Sequence, residues 1–273
     1  MNPRFVPLVV AFVFLAGCST EEAIQQFTAE ERFALGMAKF REEDYLEAIE
    51  DFKVVTLQFQ GSRVADDAQY YMAECRFQRE EYVLASYEYD VLIRTMPTSE
   101  YISRARYRKA LCYYDLSPNS YLDQDYSRKA IDEFQSFLEY HPTDSLASEA
   151  ETHITELNTK LARKDYDNGI TYMKMDYYRA AAYYFDLVIE KYHDTPFAEP
   201  AHMKKAEALF QRKKYQEAGQ EVERFLLRYP QSSLKPDAEK LQSEIKDQLS
   251  RPQPSKPAGN SPRGAHAAQE SKS

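Results

Sequence analysis

A short motif built around alanine recurs along the chain and constrains its fold more than any other feature. Tyrosine stands three residues before the alanine, and an apolar or aromatic residue stands four residues after it. The copies are Tyr45/Ala48/Phe52, Tyr82/Ala85/Tyr89, Tyr177/Ala180/Tyr184 and Tyr215/Ala218/Val222, with a fifth, Ala130/Phe134, whose tyrosine is one place early at Tyr126. Residues at these spacings share one face of a helix. The recurrence therefore predicts a helical repeat array.

The residues around each motif fix the nature of the repeat. Twelve residues after the alanine, three copies carry proline, at Pro97, Pro142 and Pro230. Twelve residues before it, three copies carry a small residue, at Gly36, Ala73 and Ala206. This spacing resembles the tetratricopeptide repeat, a pair of antiparallel helices of ~34 residues. We predict an all-α fold of five such helix pairs, stacked in a right-handed superhelix whose concave face is lined mainly by the first helices.

The repeats are not uniform. The third carries an insertion at Asp115–Asp125, which predicts a loop between its two helices, and the fourth has a long first helix over Leu146–Met175. A tail rich in proline, serine, glycine and alanine follows, and this composition predicts disorder. We assign 29–142 to repeats one to three, 143–235 to repeats four and five, 236–249 to a candidate terminal helix and 250–273 to the tail.

The amino terminus has the features of an export signal. Arg4 precedes an apolar run from Phe5 to Ala16, which is far shorter than the ~20 residues of a membrane-spanning helix. The stretch Leu15-Ala16-Gly17-Cys18 resembles the signal of bacterial lipoproteins. The resemblance implies that 1–17 is removed, that Cys18 receives a diacylglycerol and an N-acyl chain, and that 18–28 is a lipidated linker. Ser19 in the next position implies transfer to the outer membrane. An ordinary signal peptide with an incidental cysteine is the alternative.

Charge and residue spacing exclude several functions. The formal net charge of −9 argues against binding to nucleic acid and against electrostatic adsorption to anionic lipid. The five histidines show no metal-ligand spacing, and the chain has neither a glycine-rich phosphate loop nor a nucleophile elbow, so we predict no enzyme, metal site or other cofactor. Cys75 and Cys112 fall on neighbouring first helices ~8–10 Å apart, which favours free thiols over a disulfide.

The first helices present a candidate peptide groove. With Ala29 counted as position 1, positions 5, 9 and 12 share one face. In repeats one to three they are Phe33, Met37 and Phe40, then Tyr70, Glu74 and Phe77, then Tyr107, Leu111 and Tyr114. Position 12 stays aromatic as Tyr172 and Phe210, whereas position 5 becomes Asp165 and Lys204.

An aromatic groove is therefore predicted in the first three repeats alone. The candidate contact residues are Phe33, Met37, Phe40, Tyr70, Phe77, Tyr107 and Tyr114. Packing between repeats is an equal alternative for position 12, whereas position 5 is expected to be exposed.

The cysteine signal and the five repeats together resemble the BamD family of outer membrane protein assembly factors. The resemblance covers about residues 28–230. Its characteristic stretches are Arg94–Thr98, the Leu122–Tyr126 insertion before Ala130–Phe134, Tyr140–Pro142 and Lys191–Thr195, where His193 stands in place of a frequent proline. It implies a scaffold anchored in the outer membrane of a Gram-negative-type bacterium and facing the periplasm.

The resemblance also implies the partners. The carboxyl-terminal repeats would bind the POTRA domains of a BamA-type β-barrel insertase. The amino-terminal repeats would receive the aromatic carboxyl-terminal signal of unfolded outer membrane proteins, and other assembly lipoproteins would join the complex. Two alternatives remain open: a tetratricopeptide lipoprotein that scaffolds peptidoglycan enzymes or regulates a protease, and a lipoprotein that captures a nutrient.

Overall fold

The computed structural model describes residues 27–251, which form eleven α-helices and no strand. The helices are α1 (Ala29–Arg41), α2 (Tyr45–Gln58), α3 (Ala65–Gln78), α4 (Tyr82–Thr95), α5 (Ile102–Asp115), α6 (Asp125–Tyr140), α7 (Ala147–Lys174), α8 (Tyr178–Lys191), α9 (Ala198–Gln211), α10 (Tyr215–Arg228) and α11 (Lys235–Ser250). The predicted signal peptide, Cys18 and the tail beyond Arg251 lie outside the described residues.

Consecutive helices pack against one another along the whole stack. The first helices of neighbouring repeats also touch, α1 with α3 and α7 with α9, and α9 touches the terminal helix α11. On the opposite side, clefts open between the second helices α2 and α4 and between α8 and α10. The first helices therefore line the inner side of the stack, and the second helices its outer side. The predicted all-α fold of five stacked tetratricopeptide-like helix pairs is confirmed.

A small residue on each first helix lets the second helix approach closely. A Cβ atom added to Gly36 would lie 2.6 Å from Cε1 of Phe52, and one added to Gly169 would lie 2.5 Å from Cε1 of Phe185. Both phenylalanine rings are fully buried. The equivalent small residues of the other repeats are Ala73, Ala110 and Ala206, all fully buried. At Gly36 and Gly169 the phenylalanine ring of the second helix thus occupies the space that a methyl group would need.

The structure corrects the repeat register in the fourth pair. Ala181 and Phe185 are fully buried, whereas Ala180 and Tyr184 are partly exposed. The motif is therefore Tyr178/Ala181/Phe185, one residue later than the sequence predicted. Adjacent tyrosines and a run of three alanines fit two registers equally well, and the contact of Phe185 with Gly169 decides between them.

Specific residues begin and end the helices. Thr28 caps α1 by accepting a hydrogen bond from the Glu31 amide at 3.2 Å, and the Glu31 carboxylate accepts one from the Thr28 amide at 2.9 Å. Four turns between first and second helices contain a residue with left-handed backbone: Glu43, Glu80, Asp176 and Lys213. Such a backbone costs a non-glycine residue about 1–2 kcal/mol. Helix packing therefore imposes these turns against the backbone preference of the four residues.

The insertion of repeat three lies between α5 and α6, as the sequence predicted, and is held against α7. Gln124 is fully buried, and its amide donates to the carbonyls of Asn119 at 2.8 Å and Leu122 at 3.1 Å. The Lys160 ammonium donates to Ser117 Oγ at 2.7 Å. Although α7 has 28 residues, no helix of residues 27–251 combines the length and apolar character needed to cross a bilayer.

Two glycine variants test the close helix contact. Gly36→Ala places a methyl group in steric conflict with the Phe52 ring. Overpacking of this kind lowers the free energy of unfolding by about 1–3 kcal/mol. Gly219→Ala adds a methyl group 3.6 Å from Ile245 Cγ2, an ordinary contact, and gains up to about 1 kcal/mol of helix propensity. We expect urea unfolding followed by circular dichroism to give changes of opposite sign. Equal stability of the two variants would contradict the packing described.

Candidate functional site

Half-buried side chains cover the inner side of repeats one and two. Phe33, Met37 and Phe40 on α1 pack with Tyr71 of α3 over the buried core that includes Phe52. The Tyr71 ring centroid lies 5.3 Å from that of Phe40 and 6.2 Å from that of Phe33. These rings form a partly exposed apolar surface across two repeats. Tyr71 was not among the predicted candidates, because the pattern of two adjacent tyrosines does not indicate which of them turns inward.

Tyr70 and Tyr107 are core residues, and their predicted exposure in the groove is wrong. Only 3% of Tyr70 and 4% of Tyr107 is accessible to solvent. Tyr70 stacks on Tyr101 with ring centroids 4.3 Å apart, and Tyr107 packs against Phe134 at 5.7 Å. In repeats two and three, position 5 therefore faces the second helix and the following repeat, whereas Phe33 at position 5 of repeat one is half-buried.

The sequence predicted that position 5 differs between repeats one to three and repeats four and five, and the corrected register removes this difference. Counted from the small residues Gly169 and Ala206, position 5 is Tyr166 in repeat four and Met203 in repeat five, replacing Asp165 and Lys204. Position 5 is thus apolar in all five repeats: Phe33, Tyr70, Tyr107, Tyr166 and Met203. A position that is apolar in every repeat serves packing, so it does not distinguish an amino-terminal groove.

Position 12 has a structural role as well as a partly exposed face. Phe40, Phe77 and Phe210 each meet the first tyrosine of their second helix at a steep angle. The ring centroids are 5.6 Å apart for Phe40 and Tyr45, 5.3 Å for Phe77 and Tyr82, and 5.4 Å for Phe210 and Tyr215. All three phenylalanines are half-buried. The rings of Phe40 and Phe210 therefore support the helix pair and remain partly accessible to a ligand, whereas Phe77 is also covered by Arg108.

A buried ion pair fills the inner side of repeat two. The Arg108 guanidinium donates to both oxygens of Glu74, at 2.9 and 2.7 Å, and the Tyr89 hydroxyl donates to the same carboxylate at 2.5 Å. Arg108 also lies over the Phe77 ring, 4.5 Å from its centroid. The Glu74 carboxylate thus accepts three hydrogen bonds within the protein. It joins repeats two and three, and its charge is not available to bind a ligand.

Tyr114 is likewise engaged by the following repeat. Its hydroxyl donates to Glu156 Oε2 at 2.6 Å, and its ring lies 4.3 Å from that of His153. The hydrogen bond to Glu156, together with partial burial, raises the pKa of Tyr114 to about 12. Of the predicted groove residues, the three on α1 therefore have the fewest hydrogen bonds and ionic contacts with other repeats.

A second buried ionic cluster joins repeats four and five. Glu221 of α10 lies 2.5 Å from His202 Nδ1 and 2.9 Å from Lys205 Nζ, both on α9. Lys205 also pairs with Asp186 of α8 at 2.5 Å. Burial alone would raise the pKa of Glu221, but hydrogen bonds from His202 and Lys205 and their charges lower it to about 2. The cluster fixes three successive helices.

The Glu221 carboxylate should make stability depend on pH in the acid range. Because its pKa falls from an ordinary 4.5 to about 2 on folding, its contribution is complete above pH 4.5 and disappears as the pH falls to about 2. We expect Glu221→Gln to lower the free energy of unfolding at pH 6, and the difference from the parent protein to shrink between pH 4.5 and 2. Glu223→Gln, at an exposed position of α10, is the control. A difference that stays constant with pH would contradict the assignment.

The remaining candidates for chemistry are metal-ligating side chains and the two cysteines. Among residues 27–251, no three histidine, cysteine or acidic side chains lie close enough to hold a metal ion. Cys75 and Cys112 are free and fully buried. Burial raises the pKa of the Cys75 thiol to about 12 and raises that of Cys112 as well. Both are therefore protonated packing residues at neutral pH.

Comparisons with known proteins match this chain to outer membrane lipoproteins and outer membrane protein assembly factors. The model of the YfiO family, described as outer membrane lipoprotein, matches residues 25–212. The outer membrane protein assembly factor BamD of Rickettsia prowazekii (strain Madrid E) is 26% identical over 190 residues, which cover 69% of this chain and 76% of the relative. BamD of Caulobacter vibrioides is 24% identical over 208 residues, which cover 74% and 68%.

One solved structure that matches this chain is the TPR2AB domain of yeast Sti1 in complex with pHSP90. It is 17% identical in sequence, its TM-score is 0.41, and the match covers 81% of this chain and 84% of that one.

Proposed function

The chain belongs to the YfiO family of outer membrane lipoproteins, and we propose that it is a lipid-anchored, periplasm-facing scaffold for the insertion of β-barrel proteins into the outer membrane. The observation that carries this proposal is the family match over residues 25–212, which include the first eight helices and all of α9. Two relatives named as outer membrane protein assembly factors support it. Stacked helix pairs offer extended surfaces for binding partners, and we expect the chain to act as a scaffold and not as an enzyme.

The anchor is Cys18. The Leu15-Ala16-Gly17-Cys18 stretch agrees with the lipoprotein description of the family. A diacylglycerol and an N-acyl chain on this cysteine together hold a protein firmly, since one chain alone gives only marginal membrane binding. The mature protein then begins at Cys18 and extends into the periplasm.

We assign the insertase contact to repeats four and five. These repeats would bind the POTRA domains of a BamA-type protein, with the Asp194–Pro200 segment, a turn and the start of α9, as part of the region. The ionic cluster of Glu221 supports this role, because it fixes α8, α9 and α10 relative to one another. A rigid surface loses little conformational freedom when it docks on a folded partner.

The amino-terminal repeats would receive the aromatic carboxyl-terminal signal of unfolded outer membrane proteins. Phe33, Met37 and Phe40 remain the candidate contacts, and Tyr71 joins them because it lies between their rings. Tyr70 and Tyr107 are removed because they are buried. Partly exposed rings on a fixed support favour an extended aromatic peptide through ring contacts and loss of water. Arg41, exposed directly after Phe40, suits the terminal carboxylate of such a peptide.

Phe40→Ala and Phe210→Ala form a matched pair to test this groove. Both rings occupy position 12 and pack on a tyrosine at similar distances, 5.6 and 5.4 Å, so both variants should lose similar stability. We expect Phe40→Ala to weaken binding of a labelled strand peptide ending in phenylalanine by about tenfold or more, which corresponds to about 1.4 kcal/mol. Phe210→Ala should leave the affinity almost unchanged.

Fluorescence anisotropy measures both affinities, and the same peptide ending in alanine is the ligand control. Equal weakening by the two variants, or no weakening by Phe40→Ala, would remove the groove from repeats one and two.

A further inference from the structure

The outer side of α4 carries an exposed apolar surface. Val83, Leu84 and Tyr87 are 53%, 48% and 59% exposed. Leu57 on α2 is 62% exposed and lines, together with Tyr87, a cleft of about 530 Å³ between the two helices. These four residues are called the α4 outer patch below. Large apolar side chains grouped in this way usually mark an interaction surface.

The repeat architecture does not require this patch. Counted from the buried motif alanines Ala85, Ala130 and Ala218, the positions of Val83, Leu84 and Tyr87 recur in the other second helices. In α6 they are Arg128, Lys129 and Asp132, and in α10 they are Gln216, Glu217 and Gln220. Polar residues thus satisfy the same structural positions in repeats three and five, and repeats one and four each carry a single large exposed apolar residue there, Leu46 and Tyr183. Among these second helices, only α4 has large apolar side chains at all three positions. The apolar side chains of α4 therefore need an explanation beyond folding.

The acidic residues of α4 are neutralised. Glu88 accepts a hydrogen bond from Gln69 at 2.9 Å and lies 3.4 Å from Arg76. Asp90 pairs with Arg94 at 2.6 Å and with Lys109 at 2.9 Å. No acidic side chain of α4 is thus left to repel an anionic surface.

The position of the anchor suggests what covers the patch. The chain from Cys18 to Thr28 spans about ten residues and can bridge at most about 35 Å. The helix α4 lies three packed helices from α1, each step being about 8–10 Å. If Cys18 is acylated, repeats one and two are confined near the lipid surface. Leucine and valine suit the boundary of the acyl chains, and tyrosine suits the headgroup level.

We propose that the α4 outer patch rests on the periplasmic leaflet of the membrane that holds Cys18. This inference depends on the lipid anchor of the proposed function. The patch is too small for stable adsorption alone, but the tether raises its effective concentration at the surface. Contact through the outer side turns the inner side, with Phe33 and Phe40, away from the membrane and toward the periplasm. The patch thereby orients the scaffold.

A tryptophan introduced into the patch reports on this contact. The natural chain contains no tryptophan, so Tyr87→Trp provides a single indole in the full acylated protein. The variant is reconstituted in vesicles of phosphatidylethanolamine and phosphatidylglycerol, with and without brominated acyl chains. We expect a blue-shifted emission and loss of most of the fluorescence in the brominated vesicles. Asp132→Trp, the exposed equivalent position on α6, is the matched control and should show neither effect.

Two further variants separate the patch from the tether. Val83→Gln with Leu84→Gln, added to Tyr87→Trp, should restore most of the fluorescence while the protein still floats with the vesicles. Cys18→Ala in the Tyr87→Trp background should abolish both flotation and quenching, because the patch needs the tether.

Three results would overturn the inference. If the Tyr87→Trp protein floats with the vesicles but is quenched no more than the Asp132→Trp protein, the patch does not touch lipid, although the anchor stands. If the parent protein with Cys18 intact does not float, the lipid anchor of the proposed function fails together with this inference. If the emission shifts only when solubilised insertase is added, the patch is a protein interface and its assignment to lipid is wrong.

Discussion

The close approach of a first helix to its second helix determines the arrangement of every surface of this protein. Gly36 against Phe52 and Gly169 against Phe185 leave no room for a methyl group, and alanine fills the same place in the other repeats. Because the two helices meet so closely at position 8, the residue at position 5 is buried in repeats two, three and five and half-buried in repeats one and four. The residue at position 12 lies at the edge of the helix pair and is half-buried. The inner surface of the stack follows from this geometry.

Ion pairs then fix repeat two on repeat three and repeat four on repeat five. Arg108 of repeat three holds Glu74 of repeat two, and Lys109 joins Asp90 to Glu133 at 2.9 and 2.8 Å. Between repeats four and five, Lys205 of α9 pairs with Asp186 of α8 and with Glu221 of α10. These contacts fix the relative positions of the helices, which suits a scaffold that presents different surfaces to different partners. The α1 rings on the inner side and the α4 outer patch lie on opposite sides of the same two repeats.

The sequence predicted the helix pairs because their motif and its flanking prolines recur at fixed spacing. It predicted the loop at 115–125 and the long α7 because both interrupt that spacing. It did not predict the register at Tyr177-Tyr178, where neighbouring identical residues allow two alignments. It also placed Tyr70 and Tyr107 in the groove, because helical periodicity defines a face but not what packs against it. Tyr71 was not predicted, because the sequence does not indicate which of the adjacent residues Tyr70 and Tyr71 faces the groove. Only the contact of α1 with α3 reveals that Tyr71 lies between Phe33 and Phe40.

The most direct test of the scaffold assignment is affinity purification of the acylated protein from native membranes in mild detergent, followed by identification and quantification of the proteins that accompany it. The account predicts a large β-barrel protein with periplasmic POTRA repeats, in an amount close to that of the scaffold. Peptidoglycan enzymes or a protease without any β-barrel protein would contradict the assembly function, although the helix-pair fold would be unaffected.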